Sequence, residues 1–380
     1  MNSTRTLYVS EQISIDPDQV VTRTYFANLD AFEFVFTVEG VAIEQTEISV
    51  WGKNETGQLV AAHRLVSSEL DELEMEGDNT SVNRIYVANF NSNDVSVING
   101  ETNTVIATIP VGTNPAGVDV NPLTNRIYVA NRTSNTISVI NGETNAVIAS
   151  VPVGNEPGDV AVNIATNAVY TANFNSLDIT EDVTVIDGLT NTVIDAITIP
   201  GLNFLTGIGV NSLTNRIYAA NFNFDAVSVI DGVTNTVIAT IPVQVNPFRI
   251  GVNPGTNRIY VSNFTSNTVS VIDGLTNTVI DTIPVGVTPA EVAVNTSTNA
   301  IYVPNRDADN VSVISGLTNI VIATVPVGVN PNGAGANPLT NRVYVSNQDD
   351  NTVSVIDGET NTVIDVIPVG ARPFAVGVNP

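Results

Sequence analysis

The chain has 380 residues, with 38 acidic against 13 basic side chains and a net charge of −25, a balance that repels a phosphate backbone and argues against nucleic acid and anionic membranes as partners. It contains no cysteine, which excludes disulfides, thiolate catalysis and Cys-ligated metals. Its apolar runs are short, far from the roughly 20 residues that a membrane span needs, so no membrane insertion is expected.

The first residues, MNSTRTLYVSEQ, hold one Arg and no apolar stretch of the kind a signal peptide carries. The segments RTLYVSEQISI, TYFANLDAFEFVFTVEG, TEISVWG and QLVAAHRLV are rich in β-branched and aromatic residues and alternate in polarity, with KNETG as a hairpin turn. They predict a small β-sandwich over residues 1–68. A small sheet has open edges that favour a partner strand. This domain is therefore expected to anchor or assemble the protein, through itself or another surface protein. His63 is the sole histidine and lies in one of these strands with no identifiable catalytic partner. An acidic linker, residues 69–82, follows. Residues 1–78 carry a net charge of −11 and the remainder −14.

From residue 83 the chain repeats. IYVAN at 85–89 returns as IYVAN at 127, VYTAN at 169, IYAAN at 217, IYVSN at 259, IYVPN at 301 and VYVSN at 343, at spacings of 42, 42, 48, 42, 42 and 42 residues. Each period holds four short strand patterns, as in PAGVDVNP, NRIYVAN, NTISVING and NAVIASVPVG. Asn-Gly or Asp-Gly pairs, which tolerate positive φ, stand between the third and fourth. Four-stranded units at this period predict the blades of a propeller. The array opens on a second strand, NRIYVAN, and closes on a first strand, PFAVGVNP. The expected fold is all-β: a seven-bladed β-propeller over residues 83–380 with 1+3 strand closure, preceded by the small sandwich.

The motifs IYVAN/IYVSN, SVIDG, TNTVIATIPVG and NPxTNR resemble those of the YVTN-type β-propellers, bacterial and archaeal repeat proteins of the surface-layer or surface-associated type. The resemblance covers residues 83–380 and implies a propeller at a cell or spore surface or outside the cell. It implies no particular activity, because propellers host many.

In such a blade the turns between strands one and two and between three and four share one face, here the bottom, and are nearly uniform. The loops between strands two and three and the blade connections share the top, where the sequence varies. Arg132, Arg249, Arg306 and Arg372 fall in top segments, as do Phe204, Phe222, Phe248 and Phe374. Arg and aromatic residues are common anchors of recognition surfaces, so these eight are the candidate ligand- or partner-binding residues. The Phe positions also suit blade caps. The blade containing Tyr170 has six extra residues, which add Asp178, Glu181 and Asp182 as candidates for a metal loop whose spacing matches no EF-hand. On the axial strands, Asp119, Asp159, Arg249 and Glu291 interrupt a run of Gly and Ala, with Arg249 and Glu291 placed to pair. A ring of Asn (121, 163, 211, 253, 295, 337, 379) is expected to satisfy turn backbone.

No nucleophile–base pair is recognisable, and no cofactor is implied. The sequence is accordingly read as a non-enzymatic, surface-associated structural or adhesive protein. A soluble ligand- or protein-binding propeller using the Arg/Phe face is the alternative, and a propeller hydrolase ranks last.

Overall fold

The computed structural model describes residues 47–53, 59–66, 83–174, 182–200 and 204–380. The chain divides into two compact units, Met1–Asn79 and Thr80–Pro380. In the first, the strands Glu47–Lys53 and Leu59–Val66 pair antiparallel, with Val50 opposite His63. The rest of the expected sandwich and the linker lie outside the described residues.

The second unit is a ring of seven four-stranded antiparallel sheets. Blade I consists of Pro373–Asn379, Arg84–Asn89, Asp94–Asn99 and Thr104–Pro110, from the axis outward. Blades II to VII follow along the chain over residues 115–152, 157–197, 205–242, 247–284, 289–326 and 331–368. Closure is therefore of the 1+3 kind: Val87 pairs with Val376 and Tyr86 with Gly377 in one sheet. Pairing the two ends removes two open strand edges.

The core is split into seven interblade layers. Each buried cluster takes side chains from two neighbouring blades: Tyr86, Val95 and Ile109 of blade I meet Val120 and Ile127 of blade II. The seam between blades VII and I is built the same way, from Tyr344, Val353 and Ile367 against Ile85, Ile98 and Val376. The repeat motif follows from these contacts. Its Ile or Val and its Tyr are at most 1% exposed in every blade, and its final Asn locks the top loop. Asn131, for example, donates through Nδ2 to Thr136 Oγ1 at 3.1 Å and to Ser138 Oγ at 2.9 Å.

The bottom is tied together by a complete amide ring. Asn121 Nδ2 donates to Asn167 Oδ1 of the next blade at 2.8 Å, and the same bond recurs from Asn163, Asn211, Asn253, Asn295 and Asn337. Asn379 Nδ2 completes the circle on Asn125 Oδ1 at 2.9 Å. The Oδ1 of the donor residue accepts turn N–H groups, as in Leu123 N to Asn121 Oδ1 at 3.1 Å. The Asn-Gly pairs work differently from the sequence reading. The left-handed corner falls on the later Asn103, with φ of 53°. Gly100 is needed for closeness instead, since a Cβ there would lie 2.1 Å from Asn83 Oδ1.

Asparagine is abundant for a conformational reason as well. Among the described residues, 21 of the 26 non-glycine residues with positive φ are Asn, the residue that visits this region at least cost after Gly. The exceptions include Glu156, Thr288 and Arg372, which occupy the position held by Asn114, Asn246 and Asn330 in other blades.

Candidate functional site

The axial strands pack so closely that three of the seven rim positions, Gly117, Gly207 and Gly333, leave no room for a side chain. A Cβ on Gly207 would lie 2.5 Å from Phe248 O, and one on Gly333 would lie 2.3 Å from Phe374 O. Charged residues stand among them: Asp159, Arg249 and Glu291 at the rim and Asp119 two residues further along its strand. Asp119 Oδ2 accepts the Val162 N–H of the next blade at 2.7 Å, and Oδ1 accepts that of Val120 at 2.8 Å. Asp159 Oδ2 accepts the Ile208 N–H of blade IV at 3.0 Å. Both carboxylates thus satisfy inner-edge amides that the blade ladders leave open. In blade VI, Pro304 removes an N–H from the second strand. The inner strand there shortens to Ala293–Asn295, leaving Glu291 outside the ladder.

Arg249 crosses the mouth of the channel. It is 3% exposed. Its Nη2 donates to Gly158 O at 3.1 Å and Ala116 O at 3.4 Å, and Nη1 donates to Thr206 O. One guanidinium from blade V therefore ties blades II, III and IV. Its closest carboxylate is Asp159 at 3.2 Å, with Glu291 at 3.8 Å, so the expected pairing with Glu291 is present but secondary. Beneath it lies a cavity of about 260 Å³ lined by Asp119, Asp159, Glu291 and the axial valines.

Three carboxylates against one cation cannot all ionise cheaply in such a site. Burial pushes the Asp119 carboxyl up to about 7 against the opposing pull of its two N–H bonds. Burial likewise pushes Glu291 up to about 7, with Arg249 pulling it down and Asp159 adding to the rise. Asp159 is also raised by burial, opposed by Arg249. The folded state thus holds protons between about pH 4 and 7 that the unfolded chain has lost, and stability falls as pH rises through that window. Glu291→Gln keeps an oxygen for the Val292 N–H, which Glu291 Oε1 accepts at 3.1 Å. Its melting temperature should gain on the wild type progressively from pH 5 to pH 8. A pH-independent difference would show that Glu291 does not titrate there.

The top-face candidates are largely engaged within the ring. Arg132 of blade II pairs with Glu156 at 2.9 Å and stacks over Phe174 of blade III at 4.4 Å. Phe204 meets Phe174 edge-on at 5.4 Å. Phe222, Phe248 and Phe264 form one cluster with centroids 5.3 to 6.4 Å apart. Phe374 meets Phe90 at 5.6 Å. The capping role accounts for these rings, and Arg249 belongs to the channel. Arg306 and Arg372 are different: each lies over a ring, Phe264 at 5.9 Å and Phe90 at 5.4 Å. Neither makes an ion pair among the described residues. Of the metal-loop candidates, Asp182 is fully buried and its Oδ2 accepts the Ile199 N–H at 2.6 Å, while Asp178 and Glu181 lie outside the described residues. No cluster of three His, Asp or Glu able to hold a metal occurs among the described residues.

Two residues at the top of blade VII escaped the sequence reading. Asn332 and Gln348 occupy the positions that carry Phe374 and Phe90 in blade I and Phe248 and Phe264 in blade V. They are 2% and 1% exposed, yet Asn332 Oδ1 and both Gln348 amide atoms have no hydrogen-bond partner among the described residues. The available signal was Gln348 at a position where every other blade has Phe or Arg.

No family model matches the chain, and no curated protein matches it. Solved structures do match. Hydrazine synthase of Kuenenia stuttgartiensis has a TM-score of 0.66 at 17% identity, covering 73% of this chain and 93% of its own. A functionally unknown protein from Desulfotomaculum acetoxidans has a TM-score of 0.68 at 14% identity, covering 78% and 98%. The dihydro-heme d1 dehydrogenase NirN in complex with DHE has a TM-score of 0.60 at 12% identity, covering 86% and 79%. At these identities the likeness shows the propeller fold alone. It nevertheless corrects the expectation that this chain is not an enzyme. Two of these three structures are enzymes by name, so the lack of a recognisable nucleophile–base pair in the sequence is no ground for excluding catalysis.

Proposed function

We propose that the chain is a recognition propeller that binds its ligand on the top face, at a cell or spore surface. The observation that carries this reading is the contrast between the two ends of the ring. The bottom is committed to a uniform ring of Asn–Asn bonds, and the guanidinium of Arg249 lies across the channel mouth. The top loops are where the blades differ in charge, length and aromatic content. Varied loops on a rigid scaffold are a common location for binding residues. The surface-associated setting is supported by the resemblance of the repeat motif to the YVTN-type propellers, and the segment preceding the propeller serves as the anchoring or assembling part.

The test pairs two measurements on the full-length protein. Ligands found in a thermal-shift screen of surface sugars and small acids should protect top loops such as 348–351 and 370–374 from hydrogen exchange. Protection confined to the bottom turns would refute the assignment. Light scattering should show the full chain associating where the fragment 80–380 stays monomeric, and two monomers would remove the assembly role.

A further inference from the structure

We infer that the top of blade VII, between Arg306 and Arg372, is a binding site for a small hydroxylated carboxylate such as an acidic sugar. This names the ligand class for the top-face reading above and rests on it. Three independent features converge there. The first is the pair of buried amides. In blades I and V the equivalent positions hold rings 5.6 and 5.3 Å apart, so Asn332 and Gln348 are neighbours. A buried polar atom without a partner costs about 1–3 kcal/mol, and blade VII leaves three such atoms where blades I and V pack apolar rings. Asn332 Nδ2 is used, donating to Phe374 O at 3.0 Å. What remains is two carbonyl oxygens, which need donors, and the Gln348 NH2, which needs an acceptor. Hydroxyl groups supply both.

The second feature is charge. Arg306 donates through Nε to Asn330 Oδ1 at 3.1 Å and is held below its ordinary basicity by burial, with the positive charge of Arg372 acting in the same direction. Asp307 and Asp349 pull the other way. Arg306 and Arg372, neither in an ion pair among the described residues, favour an anion at this place, and guanidinium suits a carboxylate.

The third feature is strain. Arg372 holds a φ of 54° where the equivalent corners of blades II, V and VII use Asn. A long side chain is unusual in this region, so the position gives up backbone comfort for its guanidinium. The corner and the loop 349–351 are exposed, and they are the parts that must yield to admit a ligand to the amides beneath.

Isothermal titration of the full-length protein with galacturonate, galactose and acetate tests the inference. Galacturonate should bind, with galactose and acetate each at least tenfold weaker. Arg372→Asn should weaken galacturonate at least tenfold while melting no lower than the wild type, because Asn relieves the corner. Gln348→Leu should lose the preference for galacturonate over acetate. Equal binding of acetate and galacturonate would overturn the role of the amides. No binding of galacturonate, or binding unaffected by Arg372→Asn, would overturn the site. If galacturonate fails while another ligand still protects the top loops from exchange, this site falls and the top-face function stands.

Discussion

Arg249→Met should destabilise the propeller by about 3–5 kcal/mol, the usual cost of removing one partner from a buried charge cluster. Two losses add. The carbonyls of Gly158, Ala116 and Thr206 lose their donor, and Asp159 and Glu291 lose the cation that offsets their burial. Without it both carboxyls shift further upward, so the loss should be larger at pH 8 than at pH 5. Denaturant midpoints at the two pH values measure this. Arg249→Lys should recover little, because a single ammonium cannot reach carbonyls on three blades. Adding Asp159→Asn and Glu291→Gln to Arg249→Met should recover part of the stability, since the uncompensated charges are then gone. Wild-type stability in Arg249→Met would mean that the guanidinium does not bridge the channel.

Much of the ring was legible because a propeller writes its architecture into a period. The blade count follows from seven copies of one motif, and closure follows from a first strand at one end matching the lack of one at the other. The axial Gly and Ala residues were legible as small, and the structure adds that a Cβ on the axial glycines Gly209, Gly251, Gly335 and Gly377 would lie 2.5–2.8 Å from atoms of the next blade. The amide ring was legible as structural, although its interblade direction was not.

The site was harder to read because it depends on exceptions to the repeat. Arg249 stands where Gly117, Gly207 and Gly333 stand in other blades, and sequence position gives the reach of a long side chain only to its neighbour. Its bonds to Ala116 and Gly158 span 133 and 91 residues. The Phe and Arg residues of the top face were correctly grouped by face, but composition does not tell a ring that packs on the next blade from one that awaits a ligand. Gln348 illustrates the converse. A polar residue in a top loop reads as solvated, and only its burial without a partner makes it informative. Missing side-chain motifs are no argument against catalysis, because proteins named as enzymes share this fold.

Deleting residues 373–380 should be the most damaging change in the second unit, beyond the 4–5 kcal/mol that marks exceptional single changes. It removes the inner strand of blade I, opening the Arg84–Asn89 edge. Val376 leaves the layer between blades VII and I, and the bond from Asn379 to Asn125 is lost. The damage exceeds one strand's share because a ring has no slack. Each interblade layer needs both its walls, so an open seam exposes apolar surface on blade VII and on blade II together. The free edge then offers unpaired N–H and C=O groups to other chains. The deletion variant should therefore melt far below the wild type and aggregate on heating. The peptide PFAVGVNP added in trans should restore part of the lost stability by strand addition. If the deletion leaves melting and solubility unchanged, the two ends of the chain do not share a sheet in solution.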